Sequence, residues 1–505
     1  MKTTTSSELV LLLIVPLLKS IFNKLTPHSK GPSGLLTGYH HLMIQKSLNT
    51  EVISLDEIFQ AIKKVRRSSA PSPFDQISYS IICNCPALVP ALLNLYNQCW
   101  KRSEVPSLWK VASIQLIPKK SAQEDSSNPA NFRPIALTPC ISKLFSTIMK
   151  NRLISFMTSN RYFDKTIQKA FMPSVPGCVE HYVKLATAVH EAHSHHKSIA
   201  VCWLDLSNAY GSVHHNLISF SLSQYKAPEQ FISLVNNLYS DLSASINTKF
   251  WSTSGIPLNK GVFQGDPLSV VIFNCVMNTY IDAIKPCLSS SYHFSNSAQS
   301  LGLLQYADDT CLVTDGPSSC QNLLNLTDLW LTWSGMIANI SKCQCLAIRA
   351  SSGKVYNPNL SLSDAKIPFI GNQPVKFLGG TIQVPSNPQN AFLKLQDKVQ
   401  ILLRKVDNTP VIRKQKMLLY KLGVCPRITW DLTINNFSLS RVESLDPLVT
   451  KYLKSWLGLA RPADPSKLLS TTETWWSWIA MHFRSLQKAT SWESCSPDDI
   501  QRQRC

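Results

Sequence analysis

The sequence predicts an α+β fold, built from several packed subdomains. Segments with apolar residues at helical spacing alternate with short apolar runs typical of buried strands. The regular strand–helix–strand repeat of a doubly wound sheet is missing, and no internal repeat is visible. At 505 residues, the chain is longer than one ordinary hydrophobic core accommodates.

The first hundred residues are expected to form an extension followed by a helical region. Residues 1–50 are assigned to an N-terminal extension and linker. Their apolar run "LVLLLIVPLL" is about half of the roughly 20 residues that span a bilayer, so we expect a buried or partner-packing helix. In residues 51–100, "LDEIFQAIKKV" and "PALVPALLNLYNQCW" have helical spacing, with the turn "SSAPSPFDQIS" between them.

Strands and helices alternate in the next segment. "WKVASIQLIPKK" (109–120) is typical of a strand with a basic end, followed by a polar loop and "NFRPIALT". "HYVKLATAVHEAHSHHKS" predicts a helix, "IAVCWLDL" a buried strand and "VHHNLISFSLSQY" another helix. The stretch "HEAHSHHK" does not match the H-E-x-x-H zinc motif, because Ser194 stands at the second His position, so we interpret it as a polar helix end.

The charge and cysteine content restrict the partners and the compartment. Fifty Lys and Arg against 31 Asp and Glu give a formal charge of +19, which favours a polyanionic partner, either nucleic acid or an anionic membrane surface. Fifteen scattered cysteines indicate reduced thiols inside a cell, in nucleus or cytoplasm. The pairs Cys83/Cys85 and Cys343/Cys345 lack a second ligand pair at zinc-finger spacing, so we interpret them as structural.

Two apolar runs carry aspartates where charge is costly. Asp205 ends the run Ile199–Leu204, while Asp308 and Asp309 interrupt "LLQYADDTCLV". For any single Asp, an ion pair or a helix cap is the commoner explanation. Converging carboxylates on neighbouring strands would instead suit Mg²⁺, and two such ions could activate a 3′-hydroxyl and stabilise a leaving pyrophosphate.

Six motifs in order resemble those of reverse transcriptases. "YADD" (306–309) resembles the catalytic hairpin, "DLSNAYGSV" (205–213) the first acidic motif, and "GVFQGDPLSVVIF" (261–273) the segment beneath template and nucleotide. "NISKCQCLAI" is similar to the lysine-bearing motif, and "FLGGTI" (377–382) to the primer-grip hairpin. "NFRPIALTPCISKLFSTIMKNRL" (131–153) resembles the fingers motif of non-LTR, LINE-type retrotransposons.

The resemblance implies a right-hand polymerase with fingers, a palm containing an antiparallel sheet, and a helical thumb. On it we place fingers and palm at 101–385, the thumb at 386–468 and a tail at 469–505. The thumb assignment agrees with 14 Lys or Arg against 6 Asp or Glu between Lys394 and Lys467, a surface suited to phosphates. The aromatic stretch "TTETWWSWIAMHF" is given no role.

The resemblance also implies the roles of individual residues. Two Mg²⁺ ions, or Mn²⁺ in their place, would be held by Asp205, Asp308, Asp309 and the carbonyl of Leu206, with Asp309 the least direct ligand. Lys119 and Arg133 would neutralise the triphosphate, and Lys342 would act as general acid.

Tyr210 would exclude ribonucleotides by a clash with the 2′-hydroxyl. Gln264 and Gly265 would lie near the template and the nascent base pair. The primer grip would consist of Phe377, Leu378 and Gly379. The implied partners are an RNA template, a DNA primer or target and deoxynucleotides, with no membrane and no obligate protein partner.

Some features depart from the family pattern. Gly211 stands where relatives commonly carry Asp, and Val270 where Pro is common, so altered packing is expected. Neither an endonuclease nor a zinc knuckle is visible, which suggests a polymerase core from a truncated or separate copy. One alternative is therefore a nucleic-acid-binding remnant without the chemistry. Another is a viral RNA-templated RNA polymerase, which Tyr210 and the fingers motif oppose.

Overall fold

The computed structural model describes residues 46–65, 70–119, 127–173, 175, 177–248, 251–253, 255–295, 297–435 and 437–458. The apolar run at 9–18 and the tail at 469–505, for which we made predictions, lie outside these residues. In the described ranges, no helix combines the length and apolarity needed to cross a bilayer. The described cysteines are all free thiols.

The helices follow one another along most of the described chain. Their bounds are α1 Leu55–Lys63, α2 Tyr79–Asn84, α3 Leu88–Arg102, α4 Cys140–Ser159, α5 Cys178–Ser194, α6 Ala209–Ser212, α7 His215–Gln224, α8 Glu229–Tyr239, α9 Ser269–Ile284, α10 Pro317–Ser334, α11 Pro388–Asp407, α12 Arg413–Leu419, α13 Cys425–Ile434, α14 Leu439–Glu443 and α15 Asp446–Leu457. A π-helical turn, Tyr420–Val424, joins α12 to α13.

The strands are short, as expected for an α+β fold. Their bounds are β1 Val111–Pro118, β2 Phe132–Leu137, β3 Ile199–Leu204, β4 Ser243–Ile246, β5 Ile256–Pro257, β6 Tyr292–His293, β7 Ser300–Leu301, β8 Leu303–Tyr306, β9 Asp309–Thr314, β10 Gln344–Ile348, β11 Val355–Tyr356, β12 Ser361–Leu362, β13 Ala365–Lys366, β14 Val375–Phe377 and β15 Gly380–Ile382.

The chain divides into two compact units. Unit 1 comprises residues 1–177 and 195–371, and unit 2 comprises 178–194 and 372–505. Unit 1 contains an antiparallel five-stranded sheet in the order β11-β10-β3-β9-β8 and a four-stranded sheet in the order β2-β1-β4-β5. The α+β prediction is confirmed, whereas the boundaries of fingers, palm and thumb stay predictions.

The central sheet of unit 1 forms around β3. Every residue of this strand is buried, as its unbroken apolar sequence predicts for a strand covered on both faces. Helix α9 packs into the same core with an almost continuous set of buried residues. The catalytic candidates therefore lie at the edge of a rigid, densely packed layer.

Local sequence signals account for several helix ends. Helix α1 begins at a capping box, in which the Ser54 hydroxyl accepts from the Glu57 backbone and the Glu57 carboxylate accepts from the Ser54 backbone. The helix predicted over 181–198 begins earlier, at Cys178, and ends at Ser194. It cannot extend further because His196 has a φ of 52°, in the left-handed region.

Unit 2 has its own core around α11. Its buried residues recur three or four positions apart, so that one face of the helix is covered: Phe392, Leu395, Val399, Leu403 and Val406. Residues from α13 and α15 complete this core. The helical pattern that we predicted for the basic segment is thus confirmed, and its charges occupy the remaining faces.

Candidate functional site

Strand pairing brings the two acidic motifs together. In the antiparallel pair β3–β9, Leu204 lies opposite Thr310, so the register continued by one residue places Asp205 opposite Asp309. The hairpin β8–β9 has Tyr306 opposite Asp309, which leaves Ala307 and Asp308 as its two-residue turn. The three carboxylates predicted from sequence therefore lie at one end of the sheet.

The pKa values of the three carboxyl groups show that they interact. Burial raises the pKa of Asp205, and the nearby ammonium groups of Lys342 and Lys119 partly offset this effect. Burial and the charge of Asp205 raise the pKa of Asp308. The pKa of Asp309 is raised to about 6 by partial burial and by the charges of Asp308 and Asp205. Asp309 is the most exposed of the three residues, so solvent screens part of this repulsion.

The loop after β3 is held by backbone hydrogen bonds. The Asp205 carbonyl accepts from the Asn339 N–H at 2.8 Å, and the Ser207 N–H donates to the Ile337 carbonyl at 2.8 Å. These two bonds flank Leu206 and do not use its carbonyl oxygen. The Asp205 N–H also contacts the buried Cys343 sulfur at 3.5 Å, which gives Cys343 a structural role.

Three basic residues predicted from sequence cluster near Asp205. Lys119 follows β1, and its N–H donates to the Asn131 carbonyl at 2.8 Å, where β1 pairs with β2. The pKa of Lys119 is lowered by partial burial and by the positive charges of Lys342 and Arg133, while Asp205 opposes the shift. Lys119 and Lys342 thus lie close enough to Asp205 to affect its pKa, and Arg133 is close enough to Lys119 to affect that of the lysine. A group of cations next to the carboxylates suits a polyphosphate.

Tyr210 is also close to the carboxylates. Its ring stacks on Phe273 with centroids 4.4 Å apart and 10° between the planes. Burial and the charge of Asp308 raise the pKa of its hydroxyl. The phenol is therefore a fixed, uncharged group at the site.

The unusual Gly211 has a packing explanation. Gly261 has a φ of 94°, and a Cβ at Gly261 would lie 3.0 Å from Gly211 Cα. A Cβ at Gly211 would lie 2.3 Å from Nδ2, the side-chain amide nitrogen of Asn208. At Gly261 the opposing backbone leaves no room for a Cβ, whereas at Gly211 the nearest atoms belong to the Asn208 side chain. That Gly211 alters local packing relative to the family pattern stays a prediction.

Gln264 and Gly265 are tied to β2, the strand that carries Arg133. The Gln264 carbonyl accepts from the Ala136 N–H at 2.8 Å. Gly265 has a φ of 129°, and a Cβ there would lie 2.7 Å from the Ala136 carbonyl oxygen. Only glycine both adopts this φ readily and leaves room for the Ala136 carbonyl oxygen.

The predicted primer grip forms a hairpin in unit 2. Strands β14 and β15 pair with Phe377 opposite Gly380, and the turn residues Leu378 and Gly379 have φ values of 45° and 84°. Positive φ at both positions is typical of a type I′ turn. The Trp430 indole donates to the Gly379 carbonyl at 3.1 Å. The other predicted site residues all belong to unit 1.

The donor set fits a hard divalent cation. Among the described residues, no three His, Cys, Asp or Glu side chains are arranged as a ready-made metal site. The three carboxylates nevertheless supply only oxygen donors. The charge of Asp205 raises the pKa of Asp308, and both charges raise the pKa of Asp309, a repulsion that a cation relieves. The Leu206 carbonyl, which neither of the two backbone bonds on either side of it uses, was predicted as a fourth oxygen ligand and stays a prediction.

Sequence reasoning missed one residue at this site, Gln168. It is fully buried, and its amide contacts the backbone of Ala307 in the β8–β9 hairpin. A single Gln in a polar stretch gives no signal by itself.

Comparisons with known proteins agree with the motif order. The family model described as "Reverse transcriptase (RNA-dependent DNA polymerase)" matches residues 117–382, more than half of the chain. A Pol polyprotein of the type-1 retrotransposable element R2 from Nasonia vitripennis is 26% identical over 411 residues, covering 81% of this chain and 38% of that protein. A type-2 R2DM polyprotein from Drosophila melanogaster is 25% identical and covers 88% of this chain and 42% of that protein.

Two other matches cover less of the chain. A probable RNA-directed DNA polymerase from transposon BS of Drosophila melanogaster is 27% identical, covering 55% of this chain and 29% of that protein. A structure of apo telomerase from Candida tropicalis matches with a TM-score of 0.35 and 13% identity, covering 57% of this chain and 63% of that one. The chain spans about two fifths of the length of the two R2 polyproteins.

Proposed function

Because the chain belongs to the reverse transcriptase family, whose fold is the right-hand polymerase, we propose that it is an RNA-directed DNA polymerase of a non-LTR retrotransposon. It would add deoxynucleotides to a primer 3′-end on an RNA template. The observation that carries the proposal is the register of β3 and β9, which gathers Asp205, Asp308 and Asp309 at one end of the sheet. Their raised pKa values support the proposal, because a bound cation would stabilise the charged carboxylates.

The carboxylates and the Leu206 carbonyl would hold two Mg²⁺ ions, with Asp309 the least direct ligand because it is the most exposed of the three. When bound, the ions would supply Lewis acidity for the attacking hydroxyl and the leaving pyrophosphate. The chain itself contributes a fixed frame: the Asp205 backbone is bonded to Asn339 and cannot drift from the sheet.

The cations near Asp205 would bind the triphosphate. Arg133 offers a forked guanidinium from an exposed position of β2, while Lys119 lies half-buried just after the end of β1. Burial and neighbouring cations lower the pKa of Lys119, so an anionic ligand gains more there than at an isolated lysine. Lys342 would donate a proton to the pyrophosphate.

Tyr210 would select deoxynucleotides. Its ring is held by stacking on Phe273, and its backbone is held because the Tyr210 carbonyl accepts from the Val262 N–H at 2.9 Å. A fixed ring excludes a 2′-hydroxyl by volume. Phe377, Leu378 and Gly379 are proposed to position the primer, through the hairpin of unit 2.

Primer extension tests the proposal. Purified protein should extend a DNA primer on an RNA template with deoxynucleotides, and only when Mg²⁺ or Mn²⁺ is added. Asp205→Asn should remove the activity. Asp315→Asn is the matched control, because Asp315 is an exposed acid just past the far end of β9, away from the hairpin turn. Wild-type protein without any metal-dependent extension would contradict the proposal.

A further inference from the structure

The turn that presents the catalytic aspartates is conformationally unusual. The last strand pair of the β8–β9 hairpin is Tyr306 with Asp309, so Ala307 and Asp308 complete the turn alone. Ala307 has a φ of 56°. Residues with a Cβ rarely adopt this left-handed region, so the turn needs support from outside the hairpin.

Gln168 provides that support through its side-chain amide. The Ala307 N–H donates to Gln168 Oε1 at 2.9 Å, and Gln168 Nε2 donates to the Ala307 carbonyl at 3.3 Å. Gln168 Oε1 also accepts from the Ala170 N–H at 3.0 Å. Because Gln168 is fully buried, water cannot replace these bonds without opening the core.

The segment around Gln168 is itself fixed to the hairpin. Gln305 of β8 donates its N–H to the Ile167 carbonyl at 3.0 Å, and its carbonyl accepts from the Lys169 N–H at 3.1 Å. On the other side, the buried Asn274 side chain of α9 donates to the Ala170 carbonyl at 2.8 Å. Gln168 is thus carried by a backbone segment that cannot move independently of β8.

We propose that Gln168 is a positioning residue for the polymerase reaction. Its amide bonds both backbone groups of Ala307, keeps this residue left-handed and thereby fixes the direction in which Asp308 and Asp309 point. The proposal rests on the proposed function and adds a residue that none of the six motifs contains. Small errors in the placement of catalytic groups reduce turnover steeply, so loss of the amide should act on turnover more than on nucleotide binding.

The test compares two glutamines that make the same contact. Gln321 donates its Nε2 to the Ser361 carbonyl at 2.9 Å and accepts from the Ser361 N–H at 2.9 Å, elsewhere in unit 1. Gln168→Leu should accelerate hydrogen exchange at the Ala307 amide by about tenfold or more, while Gln321→Leu leaves it unchanged. In primer extension, kcat should fall by about tenfold or more, with KM for deoxynucleotides changed by less than about threefold.

Each outcome decides the question. Unchanged protection of Ala307 in Gln168→Leu, or an equal loss of kcat in Gln321→Leu, would overturn the proposal. If Gln168→Leu does not fold, Gln168→Glu replaces it, since this variant keeps the acceptor for the Ala307 N–H and loses the donor to its carbonyl. Gln168→Glu should accelerate hydrogen exchange at the Ala307 amide and lower kcat, both by less than Gln168→Leu. An exchange rate and a kcat equal to those of the wild type would again overturn the proposal. The exchange measurement needs no activity, so an inactive wild type would refute the proposed function and still test this contact.

Discussion

Gly265→Ala perturbs the junction between strand β2 and the segment that precedes α9. The new Cβ would lie 2.7 Å from the Ala136 carbonyl oxygen, a backbone atom that cannot rotate away. The φ of 129° is nearly restricted to glycine and costs other residues about 1–3 kcal/mol. Forcing the backbone apart costs about 1–3 kcal/mol more, as in overpacked cores.

The two costs together give an expected loss in free energy of unfolding of about 2–6 kcal/mol. Urea denaturation followed by tryptophan fluorescence should show the midpoint falling by about 0.7–2 M, for a slope near 3 kcal/mol per M. Because β2 carries Arg133, KM for deoxynucleotides should also rise. Gly255→Ala is the control, since a Cβ there meets nothing within 4 Å. A Gly265→Ala midpoint equal to that of Gly255→Ala would refute the reasoning.

Three further substitutions have defined outcomes. Tyr210→Val should raise ribonucleotide incorporation relative to deoxynucleotides by about tenfold or more, measured by competitive extension; an unchanged ratio would exclude Tyr210 as the selector. The buried Arg152 guanidinium donates to both carboxylate oxygens of Glu57 at 2.8 Å, and Arg152→Met removes both bonds. The free energy of unfolding, measured by thermal unfolding, should fall by about 3–5 kcal/mol. A fall below about 1 kcal/mol would contradict this prediction. Burial raises the pKa of Asp282 to about 6, while its bond from Tyr225 opposes the shift. The folded protein therefore holds this proton longer than the unfolded chain, and stability falls as pH rises from about 4 to about 6. Asp282→Asn should remove up to about 3 kcal/mol of the change in free energy of unfolding between about pH 4 and about pH 6. Identical stability profiles for the wild type and Asp282→Asn over this pH range would contradict the assignment.

The sequence predicted those parts of the fold that depend on local periodicity. The buried strand before Asp205 follows from its continuous apolar run, and the helices of the basic segment follow from the spacing of their apolar residues. The hairpin of Asp308 and Asp309 was expected from the resemblance of its motif to the reverse transcriptase hairpin. The motif order then identified the family. Helix α2 was not predicted, because its six residues are too short for a periodic signal and depend on the Ser78 cap.

Long-range contacts were beyond the sequence. Gln168 acts on Ala307, which is 139 positions away in the chain, and no local pattern records that pairing. The close approach of Gly211 and Gly261 likewise depends on how two loops pack. Sequence reasoning could state which residue types were present at these positions, but not which backbone groups they would meet.

The central claim is that the paired strands β3 and β9 form a polymerase site. The most direct test is extension of a DNA primer on an RNA template by wild-type protein and by Asp308→Asn, with template–primer binding measured in parallel by fluorescence anisotropy. We expect extension to disappear in Asp308→Asn while binding stays nearly intact, because the substitution removes one charge from a site that already holds three carboxylates. Full activity in Asp308→Asn would contradict the claim.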